Sequence, residues 1–252
     1  MNSFDENRTK EKLEAGSVVE RSPLLRWLDN FWYHHKWTVI VTVFFAVVLI
    51  MGLVQILSKD AYDVSLTYGG SYRMNDEERV EFEAVLNSLC PEDYDGNGKK
   101  AVQYMIYEVY SEKEILKLKA EAEEQGQDFV FNAKYNQDEF DNFTAFAGTG
   151  ECSVYFLSPY LYEVLKASDR VLPLKELYGE QPLPEGALED GFGVALKDTD
   201  LYEYHSAVQT LPEDTVVCLL RSTVWNMSGS REEAYRHAEA LFRALVEFDV
   251  VD

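Results

Sequence analysis

Histidine and cysteine are scarce in this sequence, and the arrangements through which they usually carry chemistry are missing. The four histidines, His34, His35, His205 and His237, form no H-E-x-x-H pair, which removes a zincin-type metal site. There is also no G-x-S-x-G elbow, no S-x-x-K and no phosphate-cradling P-loop. "GTGECS" (148–153) lacks the third glycine of a dinucleotide fingerprint and runs into a strand. Three cysteines, Cys90, Cys152 and Cys218, are an odd number, so they close no full disulfide framework and leave room for at most one bridge. Cys152 and Cys218 lie in apolar runs, where cysteine behaves as a small buried hydrophobe. The expectation is a protein that is not an enzyme.

Positive charge is the second shortage. The chain carries a net charge of −22, distributed unevenly. Residues 1–36 hold six basic and six acidic residues, residues 37–57 hold none, and residues 58–252 hold 17 basic against 39 acidic. A surface that acidic repels phosphate backbones, so nucleic acid is excluded as a partner. Aromatics, in contrast, reach 13% with 16 tyrosines. That content is incompatible with a chain disordered throughout, and 252 residues suffice for one or two packed domains.

The uncharged stretch is "WTVIVTVFFAVVLIMGLVQIL", 37–57. At 1.5 Å per residue it spans about 31 Å, the thickness of a bilayer core. It is too long and too evenly apolar for a buried core helix, and "SKDAYD" after it offers no cleavage signal. Before it, "SPLLRWLDNFW" reads as an interfacial amphipathic segment (22–36), with Ser22 as cap, Pro23 first, and Leu24, Leu25, Leu28 and Phe31 toward lipid. Trp32, Tyr33 and Trp37 form the inner aromatic belt, beside His34 and His35 at the membrane edge. Arg21, Arg26 and Lys36 precede the span against Lys59 and Arg73 after it, and the domain beyond is long and acidic. The expected organisation is a disordered cytoplasmic tail (1–21), the interfacial segment, a transmembrane helix (37–57) and an extracytoplasmic α/β domain (58–252).

Beyond residue 58, strand and helix patterns alternate. "YDVSLTYGG" (62–70), "AVQYMIYEVY" (101–110), "CSVYFL" (152–157), "GFGVALKD" and "TVVCLLRS" read as strands. Asn75 with Glu78, Ser111 with Glu114, and Asn136 with Glu139 predict helix caps, and Ser158-Pro159 opens another helix. On the predicted helices Phe82, Val85, Leu86 and Leu89, then Ile115, Leu118 and Ala122, then Ala234, Ala238, Leu241, Leu245 and Phe248 share inward faces, with His237 solvated. The alternation predicts a three-layer α/β domain with a mostly parallel sheet.

Four segments, "DYDGNGKKAVQY", "LSPYLYEVLKASDRVLPLKEL", "GFGVALKDT" and "LPEDTVVCLLR", resemble those of a group of single-pass membrane proteins from Gram-positive bacteria, over the chain from about residue 28. Within them, "AGTGECSVYFLSPYLYEVL…VLPLKEL" is similar to extracellular solute-binding proteins of the type II periplasmic-binding-protein fold: a small-residue turn, a strand, a helix and a Leu-Pro-Leu stretch in that order. The resemblance implies one lobe of that fold, since residues 58–252 suffice for about one and the loop between Asp198 and Asp214 is too short to admit a second.

Two candidate sites follow. In "DYDGNGKK", Asp93, Asp95 and Asn97 fall at positions one, three and five of a calcium loop, Gly98 at the sharp turn, and Lys99 at the position that offers a backbone carbonyl. Tyr104 stands where an EF-hand places its glutamate, so the loop is no EF-hand. Some solute-binding proteins close such helix–loop–strand calcium loops with a remote carboxylate, and Glu92, Glu108 or another acidic residue would serve. The alternative is a plain positive-φ turn capped by the aspartates. The second candidate is the rim at the carboxyl ends of the strands, where open α/β sheets bind ligands. It gathers Tyr68, Gly69, Gly70, Ser71 and Tyr72 after the first strand, with Ser158 and Tyr160 after the third. The functional expectation is a membrane-anchored binding or scaffold domain, touching lipid through residues 22–57 and serving a transporter or envelope-protein partner. A peptide or sugar receptor, and a cell-envelope enzyme, are the alternatives.

Overall fold

The computed structural model describes residues 22–57, 62–222 and 230–249; the predicted tail 1–21 and Lys59 lie outside these. The chain divides into two compact units, Met1–Asp60 and Ala61–Asp252. In the first, one helix, α1 (Pro23–Leu57), carries the predicted interfacial segment and the apolar span without a break, opening at Pro23 as its sequence signals. Its stretch Trp27–Leu53 is long and apolar enough to cross a membrane. Near the start of α1, Trp27 stacks on Phe31 and Phe31 meets His35 at a tilt, at 5.5 and 5.0 Å between ring centroids.

The second unit runs β1 (Val64–Gly70), α2 (Asp76–Leu89), β2 (Val102–Glu108), α3 (Glu112–Glu124), α4 (Ala133–Thr149), β3 (Val154–Leu157), α5 (Pro159–Ala167), α6 (Leu174–Tyr178), β4 (Gly193–Ala195), α7 (Asp200–Tyr204), β5 (Val216–Leu219) and α8 (Ser230–Val246). The strands form one sheet in the order β2-β1-β3-β5-β4. β1 pairs in parallel with both β2 and β3, while β5 runs antiparallel to β3 and to β4. The sheet is therefore mostly parallel, with β5 alone reversed.

Alternation along the strands divides the core in two. Leu66, Tyr68, Val154, Phe156, Val217 and Leu219 meet Phe82 and Leu86 of α2 and Leu241, Phe242 and Leu245 of α8 on one face. Tyr155, Leu157 and Cys218 meet Phe143 and Ala147 of α4 and Leu161 and Leu165 of α5 on the other. These clusters lie wholly within residues 64–246. All three cysteines are buried and free.

The caps of α2, α3 and α5 sit where their sequence signals place them. Asn75 Oδ1 accepts the Glu77 and Glu78 N–H groups while Glu78 accepts the Asn75 N–H, and Ser111 with Glu114 repeats the box. Three other expectations are corrected. α4 starts four residues earlier than predicted, at Ala133, with Asn132 rather than Asn136 as cap. Asn136 instead uses its amide to accept the Tyr110 N–H (2.8 Å) and donate to the Tyr110 carbonyl (3.0 Å), replacing a strand partner. α3 buries no residue: Ile115 and Ala122 are half-buried and Leu118 is 38% exposed. Ala234 is exposed, whereas Phe242 and Val246, absent from the predicted face, are buried. β2 occupies the sheet edge, with β1 between it and β3.

Candidate functional site

Parallel strands end together, so the turns that follow β1, β2 and β3 converge on one rim. There, Ser71, Tyr110, Leu118 and Tyr160 line a cleft of about 830 Å3 with Ser158, Pro159 and Asp214. α3 supplies one wall, and Ser158, Pro159 and Tyr160 open α5 on another. Asp214 arrives from the loop before β5; because β5 is reversed, its first residue pairs with the last of β3, Val216 with Leu157.

The polar groups of this cleft largely satisfy one another. Ser71 Oγ donates to Glu114 Oε1 at 2.5 Å, and the Ser111 hydroxyl and N–H donate to Glu114 Oε2 at 2.6 and 2.7 Å. Glu114 is thus both the third residue of a capping box and the tie between β1 and α3. The Tyr110 hydroxyl donates to Glu108 at 2.8 Å. Burial, then that bond and the Glu108 and Glu114 charges, push the Tyr110 phenol up to about 12. Tyr160 is 40% exposed, its ring 6.2 Å from that of Phe140.

Of the seven predicted rim residues, Ser71, Ser158 and Tyr160 line the cleft and four serve the fold. Tyr68 lies 1% exposed in the core, its hydroxyl accepting the Tyr72 N–H at 3.2 Å, and burial raises its phenol well above the ordinary value. A Cβ on Gly69 would lie 2.9 Å from both Leu161 and Phe143. One on Gly70 would lie 2.5 Å from the Tyr68 hydroxyl. The two glycines therefore admit helices and a tyrosine, not a ligand. Tyr72 donates to Glu78 at 3.0 Å. Missing from the sequence reading were Tyr110, Glu114, Leu118 and Asp214. The Ser111–Glu114 cap signal already placed the first two at a strand-to-helix turn on this rim; nothing local announced Asp214.

The acidic loop lies between α2 and β2. Asp93 Oδ1 accepts the N–H groups of Gly96 (2.8 Å) and Asn97 (3.1 Å), and Oδ2 that of Gly98 (2.7 Å). Desolvation works against the Asp93 charge, and the Gly98, Gly96 and Asn97 N–H groups with Asp95 outweigh it, so its carboxyl sits below the ordinary value. Asp95 accepts from the Asn97 N–H at 2.9 Å and the Asn97 amide at 2.8 Å, and Asn97 Oδ1 accepts the Lys99 N–H at 2.8 Å. Positive φ falls on Gly96 (72°) and Gly98 (85°). The third carboxylate is Asp63, just before β1, rather than Glu92 or Glu108: one oxygen from each of Asp63, Asp93 and Asp95 lies within 4.8 Å of the others. Asp63 also accepts the N–H groups of Tyr94 (2.6 Å) and Ala101 (2.8 Å), holding both ends of the loop. Tyr94 stacks on His237 of α8 at 3.5 Å and 7°, so His237 is packed, not merely solvated.

No protein-family model, curated protein or solved structure matches the chain.

Proposed function

We propose that this chain is a membrane-tethered binding or scaffold domain, with α1 as a single-pass anchor, its amino terminus cytoplasmic and the α/β unit outside. In this reading the unit is built like one lobe of a type II extracellular solute-binding protein and serves a transporter or cell-envelope complex as an accessory subunit. Support comes from the apolar helix, from the excess of carboxylates beyond it, and from a single sheet bearing helices on both faces. The order of turn, strand, helix and Leu-Pro-Leu runs through Gly148–Gly150, β3, α5 and Leu172–Leu174.

The observation that carries the binding role is the rim cleft, whose volume and tyrosines suit a ligand site. No catalytic step is assigned to it. The test is a photo-crosslinking amino acid at position 160 of the full-length protein in its native cell, with one at exposed Glu81 as control. Cleft-specific capture of a permease or wall-synthesis protein supports the accessory role. Capture of a small solute alone favours a receptor, and no cleft-specific product overturns the reading.

A second proposal concerns the acidic loop. We propose that it binds calcium as a structural staple, through Asp63, Asp93, Asp95, Asn97 and the Lys99 carbonyl, pinning the entry of β2 to that of β1. The gathering of Asp63 onto the loop favours it.

A further inference from the structure

The rim cleft does not end at Leu118. Tyr110 and Leu118 also line a second hollow of about 410 Å3, whose other walls include Phe129, Val130, Phe131 and Tyr135. The two hollows share Tyr110 and Leu118 and lie next to each other beside α3, together outlining a trough. That helix buries nothing, and the trough is rich in uncovered apolar groups: Val130 is 89% exposed, and Leu118, Tyr135 and Tyr160 are exposed as well. Exposed apolar groups gathered around a hollow in this way are the mark of a contact surface.

The polar groups narrow the chemistry of the occupant. Ser71, Ser111 and Glu114 already bond to one another, and Tyr110 to Glu108. They have little left for the many hydroxyls of a sugar, each of which would lose water without a replacement. Charge is also unbalanced. Lys117 pairs with Glu121, and Lys113 is the trough's other cation. Against Lys113 stand Glu108, Glu114, Asp128 and Asp214, none of them in a salt bridge among the described residues, while Arg73 acts on Tyr110 from outside the lining. An occupant is therefore both apolar and positively charged, and it is longer than one small-molecule pocket.

We infer that the trough takes an extended segment of a partner protein that alternates basic with apolar or proline residues. Its apolar side chains would rest on Tyr110, Leu118 and Tyr160, and its basic groups would face Asp214 and Asp128. This inference rests on the reading of the cleft as the binding site.

The test is calorimetric titration of the full-length protein in nanodiscs with three probes: the peptides RPLRPLRPL and EPLEPLEPL, and chitohexaose. The expected result is that the arginine peptide binds at least tenfold more tightly than the other two. Asp214→Lys and Tyr160→Ala, both at exposed positions, should weaken it at least tenfold, whereas Glu81→Lys on α2 should not. Equal losses from Glu81→Lys and Asp214→Lys would reduce the binding to diffuse attraction and overturn the inference. Preference for the glutamate peptide or chitohexaose, lost in Tyr160→Ala, would overturn the peptide chemistry and leave the cleft standing. Absence of binding by all three overturns the inference alone if the crosslinker at position 160 still captures a partner, and both readings if it does not.

Discussion

At the scale of the residue, Gly69-Gly70 shows how one sequence signal supports two physical causes. Paired glycines at a strand end suit close approach of a ligand, and they equally suit close approach of the protein to itself. The missing Cβ of Gly70 leaves room for the Tyr68 hydroxyl, 2.5 Å from where that atom would stand. Gly70→Ala is expected to cost about 1–3 kcal/mol, as overpacking of a tight core does. The cost should shrink in a Tyr68→Phe background, and denaturant melts of the four proteins measure the coupling. Asp190 is a second residue whose role only the fold reveals. Its carboxylate accepts from the Tyr162 hydroxyl (2.9 and 2.8 Å), Lys166 (2.7 Å) and the Phe192 N–H (3.0 Å), tying α5 to the turn before β4. Burial opposes its charge, but Lys166, the Phe192 N–H and Tyr162 hold the carboxyl below its ordinary value. A group whose value is lower folded than unfolded stabilises above the unfolded value, and that contribution is lost as pH falls through the folded one. Urea melts should show wild-type stability declining as pH drops below about 4, the unfolded carboxylate value. Asp190→Asn should be less stable at pH 7 and lose part of that acid slope.

At the scale of the element, helix starts were legible because capping is local: one side chain and one N–H three residues on decide it. Asn75, Ser111 and Ser158 act as their spacing predicts. Asn136 misled because a long-range partner, the backbone of Tyr110 at the end of β2, claimed its amide, and Asn132 could cap in its place. The two asparagines should separate experimentally. Asn132→Ala is expected to cost about 1 kcal/mol as a lost cap. Asn136→Ala should strip protection from the Tyr110 amide in hydrogen exchange, which Asn132→Ala should not. The acidic loop divides in the same way. Asp93, Asp95, Asn97 and the glycines stand within six residues, so their geometry was readable; Asp63 lies thirty residues upstream of Asp93 and joins only because β1 pairs with β2. If calcium is the staple proposed, millimolar calcium raises the melting temperature of the full-length protein in nanodiscs and Asp63→Asn abolishes the rise. An unchanged melting temperature in the wild type would show the calcium assignment to be wrong.

At the scale of the whole molecule, the α/β unit holds its own hydrophobic core. The two core clusters draw no residue from α1, and the chain divides at Asp60. Cleavage between residues 58 and 61 should therefore leave the melting temperature of the α/β unit unchanged, as measured by near-UV circular dichroism before and after cutting. A fall of several degrees would show that the segment carrying α1 contributes to the fold.

What this sequence determined by itself is whatever depends on neighbours along the chain. An uncharged run of 21 residues makes a helix that can cross a membrane, caps start helices, and alternating strands and helices make an α/β sheet with a mostly parallel sense. What the tertiary structure decided is which distant segments meet. Strand order put β2 at the edge, and the reversal of β5 brought Asp214 to the rim. Pairing of β1 with β2 delivered Asp63 to the acidic loop, and packing drew Tyr68 into the core and left Tyr160 at the cleft. Hydrogen bonds within a turn are encoded at short range, whereas pairing between strands depends on a register that no single segment specifies. In the acidic loop, therefore, every residue but Asp63 was legible in the sequence, whereas of the cleft residues only Ser71, Ser158 and Tyr160 were, and Asp214 was supplied by the sheet.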